Sequence, residues 1–202
     1  MRSTIALAAA LTVAIVAPAF AEAPKVRPQP VRGVIESFQN GALNVKTAAG
    51  PVVAVALAPT VAVAGVVKRE LSDIKAGDYV SSAAAPGPDG GLQALEVHIF
   101  PEALRGQNEG QVPWDLAPDA VMTNATVEGV VEAPKGRTLK VAYKGRTAEI
   151  VVPDDAPVVS FTPLDASALT AGKTVFLLAI PKAEGLAAAQ VVVETDGVKP
   201  PM

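Results

Sequence analysis

The sequence predicts an all-β protein built as two tandem OB-like small β-barrels, each of about five strands. Three observations predict it. The first is internal repetition. Val31-Arg-Gly-Val-Ile-Glu36 returns as Val127-Glu-Gly-Val-Val-Glu132, Ile74-Lys-Ala-Gly-Asp-Tyr-Val80 as Leu169-Thr-Ala-Gly-Lys-Thr-Val175, and Gly91-Leu-Gln-Ala94 as Gly185-Leu-Ala-Ala188. Self-similarity over this length, at nearly constant spacing, marks a duplicated unit. The second is a run of short β-branched stretches separated by turn residues. The third is frequent Gly and Pro, 16 and 18 in 202 residues, which argues against reading the Val-Ala alternation as helix. Closing short strands into a barrel removes exposed edges.

The elements follow in order. Residues 1–21 read as an export signal. Arg2 is followed by the apolar run Ile5 to Val16, the breaker Pro18 and the small-residue cleavage pattern Ala19-Phe20-Ala21. The run is too short to span a bilayer, which takes about 20 apolar residues. No later segment reads as a membrane helix, since Pro59 and Gly65 interrupt Val52 to Val67. The expected location is the periplasm. Residues 22–30 read as a Pro-rich linker.

The first unit is expected over 31–100. Gln39-Asn40-Gly41 is a hairpin turn, because Asn and Gly adopt positive φ at little cost. Ser72 or Asp73 caps a single helical turn that Gly77 ends. Pro86 to Gly91 is the strongest turn signal in the chain. Residues 101–125 belong to neither copy and read as an ordered Pro/Gly-containing segment. A connection this long is functional or disordered. The second unit is expected over 126–195, with a C-terminal tail over 196–202.

Each copy resembles a bacterial exported domain of unknown function with an OB-like small barrel. The resemblance rests on Gly33-Val-Ile-Glu36, Leu43-Asn-Val45, Leu71-Ser-Asp-Ile-Lys-Ala-Gly-Asp-Tyr-Val80 and Asp89-Gly-Gly-Leu-Gln-Ala94. The second copy departs from it at Lys173, which stands where the first has Asp78. Two-copy proteins similar to this chain are sometimes labelled metal ABC transporter permeases. Without membrane spans in the mature chain, the resemblance implies at most an association with a transporter.

Composition narrows the chemistry. The net charge is −3 and aromatics make up 4 %, a poor match to a nucleic-acid groove. There is no cysteine, hence no disulfide or thiolate site. No nucleophile elbow, phosphate loop or zinc-protease motif is present. No cofactor is implied, and the chain does not read as an enzyme.

The candidate ligand- or partner-binding residues are Glu96, His98, Phe100, Glu102, Arg105, Trp114 and Asp115. Glu96, His98 and Phe100 alternate and share one strand face. His98 is the only histidine and Trp114 the only tryptophan. A Trp beside Arg and carboxylates has the composition of a binding hot spot, or of a residue that pins a long loop. Glu96, His98 and Glu102 are the candidate metal ligands. Asp73, Asp78 and Asp89 read as local turn acceptors. Lys135, Arg137, Lys140, Lys144 and Arg146 read as a solvated face. The expected function is a periplasmic non-enzymatic binding or scaffolding protein with an unknown protein partner or small ligand. The alternatives are a soluble accessory or carrier for a metal or small ligand, and a carboxylate-based enzyme.

Overall fold

A computed structural model describes residues 27–133 and 136–201. The expected export signal and most of the expected Pro-rich linker lie outside these. Twelve strands form β1 (Gln29–Gln39), β2 (Ala42–Thr47), β3 (Val52–Arg69), β4 (Tyr79–Pro86), β5 (Leu92–Ile99), β6 (Gly110–Pro113), β7 (Val121–Ala133), β8 (Gly136–Tyr143), β9 (Arg146–Val152), β10 (Val158–Leu164), β11 (Thr174–Lys182) and β12 (Gly185–Val193). Single 3-10 turns occupy Leu71–Asp73, Glu102–Leu104 and Ala166–Ala168, and the described residues form no α-helix. The all-β class is therefore as the sequence predicts.

The hairpins follow their turn residues. Asn40 and Gly41, and likewise Lys144 and Gly145, sit at positive φ between paired strands. Gly33 has a different reason to be glycine. A Cβ there would run into the Lys46 backbone carbonyl on β2.

The pairings close a five-stranded barrel in the order β12-β11-β1-β2-β3, sealed by β12 lying parallel to β3. A second circuit runs β5-β4-β7-β8-β9. Its seam is the shorter parallel contact of Leu92 and Gln93 with Ile150 and Val151. β6 lies outside both, against β7. The barrel thus takes β1 to β3 from the first copy but β11 and β12 from the second. The other circuit takes β4 and β5 from the first copy and β7 to β9 from the second.

The expectation that each copy closes on itself is not how the strands pair. Its cause is β3, which runs 18 residues through the point where the sequence suggests a break. Pro59 lies in an interruption of the β3–β12 register between Leu57 and Ala62, so its missing N–H costs no ladder bond there. The far end of β3 pairs antiparallel with β10, from Val63 opposite Leu164 to Arg69 opposite Val158; Val63 to Gly65 keep β12 on their other side, and β3 leaves the barrel beyond them.

The cores repeat this mixing. One cluster joins Val31, Ile35, Leu43, Val45 and Val55 to Leu169, Val175, Leu177 and Val191. The other joins Ile74, Val80, Ala94 and Val97 to Val127, Leu139, Val141 and Ile150. Each helical turn thus sends its apolar residue, Ile74 or Leu169, into a core shared by both copies. Ile74 is 1 % exposed. Truncating it leaves a cavity, so Ile74→Ala is expected to cost about 2–5 kcal/mol in urea unfolding. A loss well under 1 kcal/mol would place Ile74 outside the core.

Candidate functional site

The chemistry-bearing residues gather on β5, and a bulge puts them there. Ala94 pairs with Ala84 but Glu96 pairs with Ala83, leaving Leu95 as the extra residue. Beyond the bulge Val97 enters the core, so Glu96 and His98 point out of that circuit. They are nevertheless only 1 % exposed each. Cross-strand pairing sets their neighbours on this face. His98, Ser81 and Asn124 form one row, and Glu96, Ala83 and Met122 the next. The Ser81 hydroxyl donates to the Met122 sulfur at 2.9 Å. β10 runs parallel along the edge of β5, with Val159 opposite His98, and sets the Phe161 ring edge-on to His98 at 5.5 Å. Phe100 stands between Phe161 and Tyr79, at 5.5 and 5.6 Å.

Segment 101–120 closes the remainder. The Gln107 carbonyl accepts from the Tyr79 hydroxyl at 2.9 Å and from Asn124 Nδ2 at 3.4 Å. Arg105 holds Glu102 through two 2.6 Å hydrogen bonds and donates to the Gly77 carbonyl at 2.8 Å. Glu109 accepts from the Lys144 backbone. Trp114 packs on Phe176 of β11, and the Arg32 guanidinium lies over both rings. Arg32 also grips Asp115 with two parallel 2.8 Å bonds and holds that carboxyl below its ordinary range.

The expected residues therefore fall into three groups. Glu96, His98 and Phe100 share the buried face. Trp114 and Asp115 meet Arg32. Glu102 and Arg105 form a separate exposed pair, so Glu102 does not join Glu96 and His98 as a third ligand. Among the described residues no three His, Asp or Glu side chains converge on a metal position. Asp73 and Asp78 accept local backbone N–H bonds, from Glu70 and Lys75. Sequence reasoning missed Arg32 and Asn124. A signal for Arg32 existed: it stands in the repeated hexapeptide where the second copy has Glu128.

The electrostatics of the buried face are unusual. Glu96 Oε1 and His98 Nε2 are 3.7 Å apart, beyond hydrogen-bond distance. Both Glu96 oxygens, His98 Nε2, Asn124 Oδ1, Arg32 Nε and Trp114 Nε1 are buried without hydrogen-bond partners. Burial pushes the Glu96 carboxyl up to about 8, opposed only in part by Arg32, and pushes His98 down to about 4. At neutral pH both groups are thus largely uncharged.

An open concavity lies elsewhere. A cleft of about 710 Å³ forms where the β3–β10 crossing meets β8 and the loop before β10. Lys68, Arg69, Arg137 and Lys199 line it, facing Glu70, Glu132, Asp154 and Asp155. Arg137 is paired with Glu132 at 2.7 Å, and Arg69 donates to Ser160 at 2.8 Å.

No family model matches the chain, and neither curated proteins nor solved structures gave a match.

The two shifts predict a pH profile for the metal-free protein. Glu96 titrates near 4.5 when unfolded and near 8 when folded, so folding takes up a proton between these values and stability falls as pH rises. His98 titrates near 6.5 unfolded and near 4 folded, so stability rises with pH across that window. The two oppose each other from 4.5 to 6.5, leaving Glu96 alone to lower stability from 6.5 to 8. Urea unfolding with EDTA present is expected to show this fall in the wild type and not in Glu96→Gln. An equal fall in both proteins would assign it to another group.

Proposed function

We propose that this chain is an exported, non-enzymatic binding or scaffolding protein of the bacterial periplasm, and that its binding surface is the charged cleft. The export-type leader and the resemblance of each copy to an exported domain support the location. The only histidine is buried beside Phe161, out of reach of a substrate at the surface. This weighs against an acid-base site there.

The cleft carries the reading. It lies at the β3–β10 crossing, and its charges are balanced, four cations against four carboxylates. A polyanion would meet as much repulsion as attraction there. A protein surface with both signs can pair with each, which favours specificity and fixes register. The expected partner is therefore another periplasmic protein. The Trp114 region is an internal clasp in this reading: Trp114 is spent on Phe176 and Arg32.

Charge reversal at the exposed cleft residues tests it. Crosslinking and capture from periplasm should recover a reproducible partner with the wild type. Lys68→Glu combined with Lys199→Glu should lose it while circular dichroism and the unfolding midpoint stay unchanged. Undiminished capture by the double variant would remove the cleft from the account.

A further inference from the structure

Glu96, His98 and Asn124 pose a problem that the cleft does not address. Burying a polar atom without a partner is costly, and here four such atoms belong to three side chains on one sheet face. They are two carboxylate oxygens, an imidazole nitrogen and an amide oxygen. Each is an electron-pair donor. Asn124 Nδ2 is directed to the Gln107 carbonyl, which leaves Oδ1 as the free end. The fold does not demand these groups. The positions of Glu96 and His98 in the second copy are held by Gln190 and Val192.

The spacing points to an occupant. At 3.7 Å, Glu96 Oε1 and His98 Nε2 are too far apart to share a proton well. Two donors bound to one ion by bonds of about 2.0–2.2 Å, at a tetrahedral angle, stand roughly 3.3–3.6 Å apart, a little closer than this pair. We propose that Glu96, His98 and Asn124 bind a single divalent transition-metal ion of the Zn²⁺ class, enclosed between β5 and the segments that cover it. Imidazole and carboxylate donors suit Zn²⁺ or Cu²⁺, whereas Ca²⁺ takes six to eight oxygens. The imidazole is neutral at neutral pH and presents a free lone pair. The ion would hold Glu96 in its charged form, which burial otherwise disfavours. Arg32 is the charge that opposes it, and Asp115 neutralises Arg32 in a bidentate pair. The Ser81 hydroxyl, between His98 and Asn124 in the row, keeps an oxygen free as a further donor.

Because the face is covered, the ion enters as the chain folds, and the test loads it there. The mature chain is unfolded in urea with EDTA, desalted, and refolded with or without one equivalent of zinc sulfate. Metal content is then measured after gel filtration. The wild type should retain about one zinc per chain and unfold at higher temperature than the EDTA-refolded protein. The imidazole resonances of its only histidine should shift. Calcium should do neither. Glu96→Gln and His98→Gln should fold and bind zinc at least about tenfold more weakly. Glu96→Gln keeps the shape of the side chain and removes the buried acid, so its folding is not in question. A wild type that keeps no zinc, or a Glu96→Gln variant that keeps as much as the wild type, overturns the site. Neither result bears on the cleft, whose charge-reversal variants leave this face intact.

Discussion

The antiparallel pairing of β3 with β10 is the contact on which the rest of the molecule depends. Seven residue pairs, Val63 with Leu164 through Arg69 with Val158, carry the chain from one circuit to the other in each direction. Within each circuit, the pairings made between copies sit at matching places. β1 pairs β11 as β7 pairs β4, and β12 pairs β3 as β5 pairs β9. Equivalent pairings of this kind are close in energy whichever copy supplies the strand, which is the general condition for exchange of elements between like units. What the exchanged arrangement adds is the crossing itself. Val66, fully buried opposite Phe161, belongs to neither core cluster and exists as a buried residue only because the two strands cross.

The same crossing makes the buried face of β5. Phe161 lies on the crossing strand and meets His98 edge-on. On the other side, Arg32 of β1 and Phe176 of β11 bring the barrel against Trp114. Segment 101–120 is then less a linker than a strap. Its Gln107, Arg105, Glu109, Trp114 and Asp115 each hold a group outside the segment. Polar groups in such a place are either satisfied or costly. Those of Glu96, His98 and Asn124 set the proposed chemistry.

Much of this was legible in the sequence, and what was not has a physical reason. Asn40-Gly41 and Gly77 fixed their turns, because φ > 0 has few alternatives to Gly and Asn. The alternation on β5 put Glu96 and His98 on one face, and the repeat located both helical turns. The partner of each strand was not legible. Val31 and Val127, or Val97 and Val191, present nearly the same side chains to a neighbour, so the pattern cannot say which copy fills a place. Nor does Pro59 announce that the chain stays extended, since a proline in a register break and a proline in a turn look alike in sequence. The burial of His98 was hidden for the same reason: the residues covering it, Phe161 among them, come from the other copy.

The exchange of strands is tested most directly by cutting the chain between the copies. Asp119 lies in an exposed turn between β6 and β7, where an inserted protease site is tolerated best. After complete cleavage, the two pieces should elute together as a single species with the circular dichroism of the uncut protein. They should part only in denaturant, because each core is built from both. Fragments that separate in native buffer and remain folded on their own would show that each copy closes on itself, and would contradict the account.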